Sequence, residues 1–420
     1  MNVFSFFTNI THYNNALKKI LIWNMILCLS LGIHLVLYNI YLEHILGDSV
    51  LIGKILGLNF LAQAIIYIPA GILADKLGAK NSVLLGLSLL TVAFIGNLTA
   101  TTDSLLAFWG FVIGLGHAAT IVMFVPLLTA YSTPEERNSL YTFAFSTGTF
   151  FTFVGTLLGG IISDLIRKTF YVSESISIQS TLSITIILLI VSTIPLIMIK
   201  DSTLIKQAAQ SSNLITKQPQ AVFSTIIKFS VSKALNGISL GVLAPFINLF
   251  FLYRFDLSTS KISFILASGT LATVLFMSYT PTLTKKWGDI SAVSLYHIGS
   301  VPVVIALGLT GNIWIAIICF ILFRSTKFAI NPVESKIMME SVPANAKGIT
   351  NSVGFMVNSL IISLVGPFAM YIVQLHGNWT GYLILCIVSG LGSILGAVFF
   401  YYAFRRKEYH YTRHDVTTTT

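Results

Sequence analysis

An all-α membrane protein, with 12 transmembrane helices in two pseudo-symmetric six-helix bundles, is the fold the sequence predicts. Three observations predict it. The 420 residues are 55% hydrophobic and only 10% charged, against roughly 25% charged in soluble domains. Apolar stretches of the roughly 20 residues needed to cross a hydrocarbon core recur along the whole chain, and they do not alternate as strands would. A polar turn between two of them, GILADKLGAK from Gly71 to Lys80, has a weaker copy in the second half, PTLTKKWG from Pro281 to Gly288.

The spans fall near 19–42, 50–74, 82–99, 104–130, 139–163 and 180–199, then 225–252, 260–283, 290–309, 311–333, 350–374 and 380–404. The first is too long for a signal segment and has no small-residue cleavage site after it, so it reads as a retained helix. Residues 200–222, with Asp201, Lys206, Gln207, Lys217 and Gln218, break the apolar pattern and read as a linker. The expected organisation is an N-terminal bundle over 1–199, a linker over 200–222, a C-terminal bundle over 223–404 and a tail over 405–420.

Lys and Arg crowd one set of loops, including Lys18, Lys19, Lys76, Lys80, Arg137, Lys285, Lys286, Arg405 and Arg406. The positive-inside rule then puts both termini in the cytoplasm, in a cell (inner or plasma) membrane. The net charge of +10 reads as inner-leaflet topology. Nucleic acid is not an expected partner, since no soluble basic surface exists. Cys28, Cys319 and Cys386 all fall inside spans and read as packing residues.

The halves repeat. YNIYL (Tyr38 to Leu42) matches INLFF (Ile247 to Phe251), VGTLLGG (Val154 to Gly160) matches VGPFAMY (Val365 to Tyr371), and Pro126 and Pro332 each lie late in the fourth span of a half. With twelve spans, a central loop and a GxxxD(K/R)xGxK turn after the second span, the chain resembles the major facilitator superfamily, in its drug or efflux branch. The resemblance implies two bundles rocking about a central cavity. It also implies a gating turn, with Asp75 against the N-terminal end of span eleven, Lys80 as its pairing partner, Gly71 for close approach and Gly78 for the turn. Ala79 stands where a second basic residue is usual, and Lys285 where the second half would repeat Asp75. Gly155, Gly159 and Gly160 resemble an exporter segment, with Thr156 replacing its proline. Gly366 and Pro367 hold the matching places in the second half. The alternative for these glycines is plain helix packing. Gly110 takes the place of an arginine common in the superfamily's fourth span.

Ionisable residues inside a span are costly, by about 2.5–3.5 kcal/mol, and need a reason. His34 and His117 lie near the middle of spans one and four and are candidate proton carriers, or polar packing residues. Arg324, Lys327, Asn331 and Glu334 form one stripe of span ten. Arg324 is the candidate cavity cation, the alternative being a pair with Glu334. Tyr38, Asn59, Gln63 and Asn236 complete the candidate substrate- and proton-binding set. No Asp or Glu falls near a midplane, so the expected cargo is neutral, zwitterionic or anionic.

The expected function is alternating-access secondary transport, with proton-coupled export of a small amphipathic or anionic compound. An importer or headgroup flippase, and a non-transporting receptor, are the alternatives. The expected partners are a small-molecule substrate, protons and the bilayer, and the protein is expected to act as a monomer. No cofactor and no metal site are expected. No phosphate-cradling glycine loop or nucleophile–base pair points to an enzyme.

Overall fold

The computed structural model describes residues 13–133, 136–199, 220–343 and 346–417, without the side chains of 71, 72, 74–76, 138, 220–221 and 406–417. Every long apolar stretch is helical, because a helix satisfies its own backbone hydrogen bonds where no water can. In chain order these are α1 (Asn15–Leu46), α2 (Ser49–Leu77), α3 (Ala79–Thr99), α4 (Asp103–Val122, resuming as Phe124–Tyr131), α5 (Arg137–Phe170) and α6 (Glu174–Ile197). The second series is α7 (Gln220–Gly241, resuming as Ile247–Phe255), α8 (Thr259–Trp287), α9 (Asp289–Leu309) and α10 (Ile313–Ala329, resuming as Asn331–Glu340). The last helical run, Lys347–Thr417, holds two helices, α11 over 347–376 and α12 over 378–417, divided at non-helical Gly377 (φ 75°, ψ 166°).

Eleven helical stretches among the described residues are long and apolar enough to cross a membrane, the last being Lys347–Arg405 with 59 residues. A helix of that length would extend about 90 Å, roughly three hydrocarbon cores. Its division at Gly377 gives twelve crossing segments among the described residues. The linker expected at 200–222 lies outside the described residues up to the start of α7.

The ends follow from capping chemistry. Asn14, Thr102, Ser173 and Asn312 accept backbone N–H groups of α1, α4, α6 and α10, satisfying donors the first turn leaves open. The breaks follow from proline. Pro126, Pro245 and Pro332 each lack an N–H, and α4, α7 and α10 are interrupted just before them, at Met123, 242–246 and Ile330.

Backbone landmarks repeat between the halves. Gly78 (φ 80°, ψ 153°) ends the α2–α3 turn as Gly288 (φ 79°, ψ 158°) ends the α8–α9 turn. Gly47 and Asp256, both left-handed, close α1 and α7. The α4 break at Met123 (φ −81°, ψ −8°) matches the α10 break at Ile330 (φ −87°, ψ −11°).

The chain divides into two compact units. One holds residues 1–47, 58–213 and 259–264, and the other 48–57, 214–258 and 265–420. Each unit thus takes in a short segment from the other half of the sequence. In the first unit α1 packs on α5 so closely that a Cβ at Gly155 would strike the Leu29 carbonyl, and one at Gly32 the Thr152 carbonyl. Gly159 meets Ile33 and Val36, while Gly160 meets Ser263 and Thr259 of α8. The Thr156 hydroxyl donates to the Gly32 carbonyl at 3.2 Å. The same arrangement recurs in the second unit, where Gly237 and Gly241 of α7 meet Asn358, Ile361, Ile362 and Val365 of α11. Pro367 of α11 packs against Gly53 and Gly57.

Gly155→Ala is expected to lower thermal stability in detergent by about 1–3 kcal/mol, the usual range for overpacking. Gly299→Ala, where an added Cβ meets nothing within 4 Å, is expected to be neutral or slightly stabilising. Equal melting temperatures for the two variants would contradict the close α1–α5 seam.

Candidate substrate and proton site

Among the described residues, the largest concentration of buried charge lies in the second unit, on α7, α9 and α10. Glu334 is 4% exposed, Lys327 1% and His297 5%. One Glu334 oxygen lies 2.6 Å from Lys233 Nζ, and the other 2.8 Å from His297 Nε2. Lys327 Nζ lies 3.3 Å from His297 Nδ1. An ammonium group has no lone pair to offer, so Lys327 donates and Nδ1 accepts. The imidazole proton is therefore on Nε2 and points to Glu334. The break at Ile330 sets this geometry. It separates Lys327 from Glu334 along α10, and the two side chains reach the imidazole at different nitrogens.

Arg324 lies one turn before Lys327. Its Nε is buried without a hydrogen-bond partner, and its guanidinium carbon lies 5.2 Å from the Phe328 ring centre. The pairing considered for it, Glu334, is committed to Lys233 and His297. Asn236 on α7 and Asn358 on α11 each hold a buried Oδ1 with no partner.

The first unit is different in kind. His34 is stacked between Tyr38, at 4.5 Å, and Phe94, at 4.3 Å. Tyr38 accepts from Asn97 at 3.2 Å. These four side chains line a cavity with room for about one water molecule. His117 lies on α4 and does not line that cavity. Asn59 donates to the Gly110 carbonyl at 3.0 Å, and Gln63 donates to Asn59 at 2.8 Å. This chain ties α2 to α4, and Gly110, in the place of the family's arginine, supplies its acceptor.

Of the expected gating turn, Gly78 makes the bend, and the side chain of Asp75 and the surroundings of Gly71 lie outside the described residues. Lys80 Nζ donates to the Ile199 carbonyl at 2.6 Å, beside Lys19 on the Met198 carbonyl. Two ammonium groups thus meet the carboxyl-terminal end of α6, where the helix dipole favours them.

The sequence alone singles out Lys327 and Glu334 on one stripe of span ten, but not His297. A lone histidine in the apolar run SLYHIGSV carries little signal. The signal that existed was its company: two lysines and a glutamate inside spans of the same half.

Twelve apolar helical segments among the described residues, repeated by halves, with a buried ionic cluster in the second unit, define a polytopic membrane protein of the transporter class. The sequence profile of the Major Facilitator Superfamily matches residues 20–367, and the chain belongs to that family. The fold is similar to that of the nucleoside transporter NupG (TM-score 0.74, 17% identity, covering 93% of this chain and 99% of that one). It is also similar to the E. coli fucose:proton symporter FucP (TM-score 0.61, 14% identity, 91% and 98% covered). A local match joins it to the uncharacterized transporter BU466 of Buchnera aphidicola subsp. Acyrthosiphon pisum, 41% identical over 68 residues. That match spans 16% of each chain.

Glu334→Gln is expected to destabilise the protein by about 1–3 kcal/mol, since it removes the charged partner of Lys233 and the buried acceptor of His297. Lys233→Met combined with Glu334→Leu is expected to cost much less than the sum of the two single changes. Additive losses in thermal unfolding would contradict a coupled pair.

Proposed function

We propose that the protein is a secondary active transporter that couples a small polar or anionic solute to proton movement. The observation that carries this reading is the buried Glu334–His297–Lys327 cluster, with the partly exposed Lys233 at its edge. A carboxylate and an imidazole in contact, away from water, form a pair whose protonation is tied to the positions of their neighbours. Residues of this kind inside a span mark substrate or proton pathways more often than they serve stability. His34, set between two rings beside a water-sized cavity, is the corresponding candidate in the first unit.

The expectation of export rested on the glycine run of α5. Packing against α1 and α8 accounts for those glycines and for Thr156, so the run no longer argues for one direction. The Lys and Arg distribution supports cytoplasmic termini in a cell membrane.

The test is transport by the purified protein in liposomes with an imposed pH gradient and an internal pH dye. The panel comprises nucleosides, pentoses, hexoses, dipeptides and small carboxylates. At least one solute is expected to move with protons, and the sidedness of the gradient that drives it gives the direction. Glu334→Gln is expected to abolish the coupled proton flux. Accumulation unchanged by collapsing the gradient would overturn the coupling.

A further inference from the structure

We infer that the solute is an anion and that it crosses together with one proton. This rests on the proton-coupled reading and names the substrate class of the same buried site. Three cations, Lys233, Arg324 and Lys327, stand against one carboxylate. Both Glu334 oxygens are taken, by Lys233 and His297. Lys327 is left facing a neutral imidazole nitrogen, and Arg324 Nε has no hydrogen-bond partner among the described residues. Buried cations are retained where something compensates them. An organic cation would be repelled here, and an uncharged solute would give Arg324 and Lys327 no charged acceptor. A carboxylate or phosphate supplies what is missing. The guanidinium fork of Arg324 suits a two-oxygen anion, with Lys327 one turn away as a second point of charge. The unpartnered amide oxygens of Asn236 and Asn358 are acceptors, so they suit hydroxyl or N–H donors on the same solute. The contact of Gly237 with the Asn358 backbone puts α7 and α11 side by side at that level.

The same contacts supply a coupling step. In the empty protein both imidazole nitrogens of His297 are occupied, Nδ1 by Lys327 and Nε2–H by Glu334. When an anion draws Lys327 to itself, the Nδ1 lone pair is released and takes up a proton from the bulk solution, forming Nδ1–H. The imidazolium keeps its Nε2–H bond to Glu334. The charged groups facing this ring are Lys327 and Glu334 of α10 and Lys233 of α7. Towards α12, the Ser300 hydroxyl donates to the His297 carbonyl at 2.7 Å and lies 3.4 Å from the Ser393 hydroxyl. One negative charge and one proton enter together, so the loaded cluster keeps the net charge of the empty one.

The test uses the full-length protein in detergent. Lactate, gluconate and glycerol 3-phosphate are compared with glycerol, xylose and uridine by thermal unfolding, and proton uptake is followed with a pH dye in weakly buffered solution. The expected result is stabilisation by at least one anion and by none of the uncharged compounds, with about one proton taken up for each monovalent charge bound. Arg324→Gln should weaken the anion by about tenfold or more, and Arg324→Lys should recover part of that loss. His297→Gln should still bind the anion but take up no proton. Unliganded melting temperature and monodispersity separate these effects from misfolding, and Arg324→Lys serves where Arg324→Gln does not fold. Stabilisation by none of the anions, unchanged affinity in Arg324→Gln, or binding without proton uptake would overturn the inference. An uncharged solute that binds and follows the pH gradient would leave the transport reading standing and the anion inference refuted. Anions that bind while their transport ignores the gradient would refute the transport reading instead.

Discussion

Glu334 holds a negative charge where water cannot screen it, and the arrangement around it follows from that constraint. In an apolar interior a carboxylate must use both oxygens on protein donors. Glu334 finds Lys233 on α7 and His297 on α9. His297 is thereby fixed in one tautomer, with Nδ1 turned to Lys327. The interruption of α10 at Ile330 is part of the same solution. Pro332 removes a backbone donor, the helix restarts at Asn331, and residues on either side of the break reach one imidazole at different nitrogens.

The two halves share a backbone plan and differ in chemistry. The left-handed turns at Gly47 and Asp256, the bends at Gly78 and Gly288, and the breaks at Met123 and Ile330 recur in order. The first unit spends its span polar groups on joining helices, as Asn59 does with Gly110 and Thr156 with Gly32. Its histidine at position 34 is held by aromatic faces. The second unit keeps the ionic cluster. Repetition supplies the framework, and divergence within it supplies a charged half and a nearly neutral one.

The helices were legible because hydropathy and length decide them. All twelve expected spans correspond to helices, and most run beyond the apolar stretch, as α5 does from Arg137 to Phe170. Apolarity marks where a helix meets lipid, whereas caps such as Ser173 mark where it ends. The helix breaks were less legible. Pro126 and Pro332 were visible, but a proline inside a span bends, interrupts or leaves a helix according to its surroundings. The site was legible in part. The stripe of span ten identified Arg324, Lys327 and Glu334, yet helical spacing says nothing about which neighbouring helix supplies a partner. Glu334 was weighed as a partner for Arg324 and is found with Lys233 and His297. His297 has no local pattern at all, since its role comes from three helices meeting.

The central claim is that His297 is a neutral imidazole held between Lys327 and Glu334, able to accept a proton only when that arrangement opens. Nitrogen-15 NMR of the imidazole-labelled protein tests this most directly, with His297→Gln identifying the resonance. The account predicts the Nε2–H tautomer with an unprotonated Nδ1 in the empty protein, and an imidazolium once a transported solute is bound. An Nδ1–H tautomer or an imidazolium in the empty protein, or a resonance that does not change on binding, would contradict it.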